Sequence, residues 1–480
     1  MLVWNFKNKR AQNNFKILTS ETNEFTSCFD NTLPVIKQIE QWKQVFGSYC
    51  RKAFKKVRLT KKKSVKKVSS KISKLIDRRN QLMKSDDDSK KEVSNTLDEE
   101  ISELEAADNR NKIMENFESF SQNPENVNLG QVWKTMSKIW PKFRATVPSA
   151  KRDHKGNLVS APRELKKLLA KEYTERLRTR PVRPDMGSLE QRKRRIFQLK
   201  LKLAGNRQST LWSLADLETA LGDLKKEKSR DPEGLINELF KLDVIGDDLK
   251  RSLLLMFNSL KKDQLIPLFM NYANVTTLHK KGSRLLLENE RGIFRVPVLR
   301  YILMRLIYND KYPSIDANMS DCQMGGRKGK GCRNNIFIVN GVIHDVMSSK
   351  KKESVSLQIY DYKQMFDAIN LEQAANDIYD AGMNDDNLVL IYKANSQVKM
   401  AVNTPNGISD RKDIENVVLQ GDTFGSILAS VQVDSIGKEV METDYSYKYK
   451  DALAIGMLGL VDDIIGVTNS GYKAHQLNAL

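Results

Sequence analysis

The run Leu453-Ala454-Ile455-Gly456-Met457-Leu458-Gly459-Leu460-Val461-Asp462-Asp463-Ile464-Ile465-Gly466-Val467 sets two adjacent carboxylates inside apolar, partly β-branched sequence. Apolar stretches on both sides of a charged pair read as a strand, a tight bend and a second strand. An unpartnered buried carboxylate is costly, so such groups are normally paired or metal-bound. No Lys or Arg lies within the run to neutralise them. The pair is therefore either a solvated hairpin tip or a cation site. Adjacent acids are common in turns, and by itself the pair favours the tip.

Working upstream, Leu357-Gln358-Ile359-Tyr360-Asp361-Tyr362-Lys363-Gln364-Met365-Phe366-Asp367 reads as a strand that delivers Asp361 at its C-terminal end, then a turn into a helix. Val417-Val418-Leu419-Gln420-Gly421-Asp422-Thr423-Phe424-Gly425-Ser426 reads as a strand ending at a Gln-Gly turn, followed by a helix. Asp462 comes 101 residues after Asp361. In order and spacing the three segments resemble motifs A, B and C of reverse transcriptases, and more narrowly those of non-LTR (LINE-type) retrotransposons. Further upstream, Thr276-Thr277-Leu278-His279-Lys280-Lys281-Gly282 and Asn289-Glu290-Arg291-Gly292-Ile293 are similar to fingers segments of that family. Gln323-Met324-Gly325-Gly326-Arg327 with its following helix is similar to the next segment. Lys228-Ser229-Arg230-Asp231-Pro232-Glu233-Gly234 stands where the family has a Pro/Gly-rich turn, and Trp42 to Arg58 resembles the linker after an endonuclease.

The resemblance implies an RNA-directed DNA polymerase of the transposable-element class, taking an RNA template, a DNA primer and dNTPs. Its chemistry is in-line attack of a 3′-hydroxyl on an α-phosphate, with two cations stabilising the entering and leaving oxygens. Mg²⁺ suits this role because it takes hard oxygen ligands while keeping waters and phosphate oxygens. The resemblance assigns two Mg²⁺ ions to Asp361 and Asp462, with Asp463 adjacent and the Tyr362 carbonyl as a further ligand. Lys280 and Arg291 would clamp the triphosphate, one as a point charge and one as a planar fork. Phe366 stands where the family carries the aromatic that blocks a ribose 2′-hydroxyl. RNA-copying RNA polymerases typically have a second Asp there. Gln420 and Gly421 would form the turn under the templating base, where a missing side chain lets backbone approach closely.

The chain departs from the family pattern in several places. Leu460 stands where an aromatic is usual, Gly292 where Pro is usual, and Asp422 follows Gly421 without the family's prolines. Asp463 is followed by 17 residues, so motif D, a primer grip and a thumb are not expected in this sequence, nor is an endonuclease before them. The expected fold is α+β: the fingers and palm of a right-hand polymerase, truncated, preceded by a largely helical basic N-terminal region.

The remainder of the chain fits a polyanion partner. Its 480 residues carry 80 Lys+Arg against 60 Asp+Glu, a net charge of +20, and a pI near 9.5. That balance favours nucleic acid. No segment approaches the ~18–20 apolar residues that span a bilayer, and Met1 to Arg10 has no signal-peptide core. Cys28, Cys50, Cys322 and Cys332 show no zinc spacing with the four histidines. These features place the protein inside the cell, in nucleus or cytoplasm.

Arg51 to Lys74 holds twelve basic residues and no acidic ones, which suits a solvated helix face and a phosphate-contacting stripe equally. Val93, Leu97, Ile101 and Leu104 suggest an amphipathic helix or short coiled coil. The expected layout is a charged helical linker region at 1–125, a helical extension at 126–261, and a reverse-transcriptase domain at 262–480 (fingers 262–353, palm 354–480). Asn123 to Gly130 reads as the linker. Helical patterns are read over 164–183, 214–226, 289–308 and 371–379, with strands between them after Lys262. Two other functions remain open: a non-catalytic nucleic-acid-binding remnant of a retroelement, and a coiled-coil interaction protein built on residues 88–120.

Overall fold

The computed structural model describes residues 2–4, 6–29, 32–54, 56–58, 150–177, 187–280, 285–348, 354–362, 365–404, 407–414, 418–419, 421–449 and 453–471, with isolated positions elsewhere. The basic stripe over 59–73, the coiled-coil pattern around 88–120 and the linker at 123–130 lie outside the described residues, a few single positions apart. The chain divides into two compact units, residues 1–3 with 57–144 and residues 4–56 with 145–480. The second holds nearly all that is described.

The helices are α1 (Lys9–Ser20), α2 (Val35–Ala53), α3 (Pro162–Arg176), α4 (Gly187–Gly205), α5 (Leu214–Gly222) and α6 (Asp247–Lys262), then α7 (Val298–Asn318), α8 (Cys332–Ser348), α9 (Met365–Ala368), α10 (Leu371–Asp380), α11 (Asp386–Ser396) and α12 (Gly425–Glu442). The strands are β1 (Leu2–Trp4), β2 (Lys56–Arg58), β3 (Lys151–Arg152), β4 (Leu158–Val159), β5 (Tyr272–His279), β6 (Glu290–Arg295) and β7 (Ser356–Asp361), then β8 (Val398–Thr404), β9 (Gly407–Ile408), β10 (Lys412–Ile414), β11 (Tyr447–Tyr449), β12 (Leu453–Ile455), β13 (Met457–Leu460) and β14 (Asp463–Thr468). The architecture mixes helix and sheet. Among the described residues no helix is long and apolar enough to cross a membrane.

Aromatic residues fix the N-terminal helices. Trp42 of α2 stacks on Phe46 with centroids 5.1 Å apart, and Phe46 stacks on Phe240 at 5.6 Å. The Trp42 indole N–H donates to Ser252 Oγ of α6 at 2.9 Å, so the ring is buried without losing its hydrogen bond. Buried Asp248 accepts from the backbone N–H groups of Phe25 and Thr26, tying the segment between α1 and α2 to α6.

Two sheets form the remaining frame. The first runs β10-β8-β5-β6, with β9 paired to β8. Its β5–β8 pair is parallel and its β5–β6 pair antiparallel. Leu165, Leu169 and Tyr173 of α3 pack across it against Val275, Phe294, Val398 and Met400. The second sheet, β13-β14-β7, is antiparallel and rests on α12 through β13.

Three readings from sequence are corrected here. Asn289 to Tyr308 is not one helix: β6 occupies Glu290–Arg295, and α7 begins at Val298. Burial alternates strictly along Glu290, Arg291, Gly292, Ile293 and Phe294, the period of a strand, and Pro297 separates the two elements. Val418 and Leu419 lie in no strand. The chain turns instead, with Asp422 N–H donating to the Leu419 carbonyl at 3.1 Å, and α12 then starts at Gly425. The helix read over 214–226 ends at Gly222, with Asp223 as its cap.

Candidate functional site

The opening run folds as read. β13 and β14 form a hairpin in which Leu460 pairs with Asp463, leaving Val461-Asp462 as a two-residue turn. β7 pairs with β14 on the other side, and in that register Asp361 is the cross-strand partner of Asp463. Directly opposed residues of an antiparallel pair have Cα atoms roughly 4.5–5.5 Å apart. The fold therefore brings all three acids to one end of one sheet. Asp361 and Asp463 are exposed and Asp462 is half-buried. Among the described residues none of the three carboxylates has a hydrogen bond or an ion pair.

The turn is conformationally unusual. Val461 has φ +62°, a region that β-branched residues seldom enter. Buried Gln323 accepts from its N–H at 2.9 Å and donates to its carbonyl at 3.4 Å.

The segment after Asp361 is placed by α9. Tyr362 is exposed, and partial burial raises its phenol above the usual tyrosine range. Phe366 is half-buried, its edge 3.9 Å from where a β-carbon on Gly425 would sit. Its neighbour Asp367 links this sheet to the other one. Burial pushes the Asp367 carboxyl above the usual carboxylate range, while the charges of Arg176, Lys280 and Arg291 pull it back. Lys280, just past β5, and Arg291 on β6 are both exposed cations that act on the same acid.

Gly421 has φ +113°, and a β-carbon there would meet the Phe294 carbonyl oxygen of β6 at 2.8 Å. Only glycine fits that approach. Gln420 lies outside the described residues. The charge of Asp422, unplaced by sequence, is buried against Arg300 of α7 at 2.5 Å. Arg300 is 1% exposed and also donates to Asn395 Oδ1 at 3.0 Å and to the Ala394 carbonyl. Gly292, where the family pattern has Pro, lies under Tyr173, whose ring a β-carbon would approach to 2.7 Å.

Two residues with structural roles at the site, Arg300 and Arg176, were not singled out from sequence, and Gln323 was quoted only as the start of a family-like segment, with no role given to it. Gln323 and Arg300 are long polar side chains buried among apolar neighbours, and their partners are distant in sequence. The signal available was a pair of glycines, Gly325 and Gly459, flanking a space that the Gln323 carboxamide fills.

The three aspartates do not bring their oxygens within 4.8 Å of one another. Among the described residues, the group that does so is His154, Glu172 and Glu175. There His154 Nε2 lies 3.6 and 3.9 Å from the two carboxylates, on an open surface. Glu172 is engaged by Arg176 at 2.8 Å and Glu175 by Lys171 at 3.7 Å, so neither carboxylate is without a counter-charge. A groove of about 1070 Å³ lies beside this group, lined by Arg163, Lys166, Lys167 and Lys171 of α3 and Lys412 of β10.

No protein-family model matches the chain, and no curated protein matches its sequence. Solved structures with partial likeness include an apo telomerase from Candida tropicalis truncated from the C-terminal domain, 12% identical with a TM-score of 0.34, covering 45% of this chain and 47% of that one. The apo telomerase from the same organism is 10% identical, again with a TM-score of 0.34, covering 44% of this chain and 41% of that one. The chain thus aligns with less than half the length of either.

Proposed function

We propose that the chain is a reverse-transcriptase module, extending a DNA primer along an RNA template by two-metal nucleotidyl transfer. One observation carries this reading: Asp361 and Asp463 face each other across β7 and β14, Asp462 sits on the adjoining turn, and among the described residues no cation is paired with them. The donor set suits Mg²⁺, since all three side chains offer hard carboxylate oxygens, two of them on exposed residues and Asp462 half-buried. Bound there, the ions would stabilise charge on the attacking 3′-oxygen and the leaving pyrophosphate.

The other roles belong to the chain's own residues. Asp361 and Asp462 would hold the ions, with Asp463 adding its charge from the start of β14. Lys280 and Arg291 hold the triphosphate, which takes the place of Asp367 as their counter-charge. Phe366 closes the space beside the sugar, so that a 2′-hydroxyl is rejected by clash and not by lost attraction. Gly421 keeps that wall free of a side chain at Phe294. Basic side chains along α3 and β10 give the template strand sequence-independent contacts.

The test is primer extension on poly(rA)/oligo(dT) with Mg²⁺, accompanied by Mn²⁺ binding. Asp462→Asn should abolish extension and weaken Mn²⁺ binding more than about tenfold, because it removes one of few carboxylate ligands. Extension and Mn²⁺ binding both unaffected by Asp462→Asn would sink the reading. The runner-up is a non-catalytic nucleic-acid-binding remnant. In its favour, the three aspartates do not converge within 4.8 Å. RNA binding with neither extension nor Mn²⁺ binding would support it.

A further inference from the structure

Asp462 can present its carboxylate reproducibly only if the turn carrying it is held still, and the turn residue Val461 is in a conformation it does not favour. One buried side chain restrains it. Gln323 is 0% exposed, and its Oε1 accepts from the Val461 N–H at 2.9 Å and from the Gly325 N–H at 2.7 Å. Its Nε2 lies 3.4 Å from the Val461 carbonyl. Both backbone groups of one strained residue are thus tied to one carboxamide, donor to acceptor and acceptor to donor.

The surroundings leave that carboxamide no alternative position. A β-carbon on Gly459 would lie 2.9 Å from Gln323 Nε2, and one on Gly325 would collide with the Val461 nitrogen. The Gln323 backbone forms a parallel bridge with Gly459, Met324 N–H donates to the Gly459 carbonyl at 2.9 Å, and Gly459 N–H donates to the Cys322 carbonyl at 2.6 Å. Asn335 of α8 adds a hydrogen bond to the same Gly459 carbonyl at 3.1 Å. Arg327 accounts for the other side, donating to the Gln323 carbonyl at 3.1 Å and pairing with Asp316 at 2.7 Å. The segment 322–327 is a fixed support laid alongside the hairpin.

We infer that Gln323 is a positioning residue for the Val461–Asp462 turn, fixing where the Asp462 carboxylate is presented. This rests on the polymerase reading only for what Asp462 then does; the restraint of the turn is independent of it. An ordinary buried glutamine would stabilise the fold without acting on Asp462 in particular, and two readouts separate the cases.

The first is amide hydrogen exchange over residues 457–464. Gln323→Met, which keeps length but loses all three carboxamide hydrogen bonds, should raise exchange there about tenfold or more at unchanged far-UV circular dichroism. Gln323→Glu keeps the oxygen that accepts from the Val461 N–H but sets a second acceptor against the Val461 carbonyl, so it too should raise exchange in the hairpin, and it carries the test if Gln323→Met fails to fold. The second is a double-mutant cycle on Mn²⁺ affinity. Gln323→Met should weaken binding about fivefold or more beside Asp462 and leave it within about twofold in the Asp462→Asn background. Unchanged exchange in the hairpin, or equal weakening in both backgrounds, overturns the inference. If Asp462→Asn itself leaves Mn²⁺ affinity at the wild-type value, the polymerase reading of the site falls, and hydrogen exchange alone decides the clamp.

Discussion

At Gly421 two constraints coincide: φ of +113° and a neighbouring carbonyl oxygen 2.8 Å from where a β-carbon would be. Gly421→Ala should therefore cost about 1–3 kcal/mol from backbone strain, before any effect on activity. Urea unfolding reads that loss, and a stability equal to wild type would show that the turn relaxes away from Phe294. Phe366 presents the opposite case, a side chain whose size carries the sugar selectivity that we propose. Phe366→Ala should raise ribonucleotide incorporation relative to deoxyribonucleotide by about tenfold, since rejection there depends on a clash and not on a bond. An unchanged sugar preference in primer extension would remove Phe366 from that role. The placement of Asp361, Asp462 and Asp463 at strand ends was legible in sequence because a charge inside an apolar run stands out against its surroundings. The role of Gln323 was not, although its segment was quoted for its resemblance, because its partner Val461 lies 138 residues away.

Elements are held in place by buried charge, and this is where sequence was least informative. The hairpin, β5, β7 and α10 follow from apolar periodicity, which is a local property. The strand β6 was hidden because Ile293 and Phe294 fit either period until Pro297 is treated as a boundary. Arg300 and Asp422 join α7 to the turn before α12 across 122 residues, and a pairing of that range leaves no local pattern. Removing one partner of a buried pair strands the other, whereas replacing both with apolar groups can be neutral. Arg300→Met and Asp422→Leu singly should each cost about 3–5 kcal/mol, with the double substitution closer to wild type than either. Additive losses in urea melts would show that the pair is not energetically coupled.

Asp231 gives the start of α7 a pH dependence. Its carboxylate accepts from the Val298 N–H at 2.9 Å, at the first turn of that helix, and from Glu233 and Leu235 within its own loop. Burial nevertheless pushes the carboxyl up from 3.8 to about 6. The folded state thus binds the proton more tightly than the unfolded chain. Its stabilising contribution is full below the ordinary carboxylate range and is lost as pH climbs through about 6. Asp231→Asn keeps an accepting oxygen and removes the titration. The stability difference between variant and wild type should grow by about 2–3 kcal/mol from pH 4 to pH 7 in favour of the variant. A difference constant across that range would mean that Arg295, whose charge Asp231 favours, offsets the burial.

For the whole molecule the governing quantity is the net charge of +20 and where the described part of it lies. Arg163, Lys166, Lys167 and Lys171 recur at helical spacing along α3, and Lys412 faces them across a groove of about 1070 Å³. Asp410, Asp413 and Glu175 also line the groove, but Asp413 is paired with Lys399 at 2.7 Å and Glu175 with Lys171 at 3.7 Å. Arg163, Lys166 and Lys167 of α3, outside that pair, are therefore the groups available to phosphate. Each phosphate neutralised on a single strand contributes about −0.7 to the slope of log K against log salt. Replacing Arg163, Lys166 and Lys167 with alanine should lower the magnitude of that slope for single-stranded RNA by about 2, equally for sequences of different composition. Fluorescence anisotropy across a salt series measures it, with circular dichroism to confirm that α3 remains folded. A slope unaltered by the triple substitution would place the polyanion elsewhere on the molecule, and a loss confined to one RNA sequence would mean that the groove reads bases and not backbone.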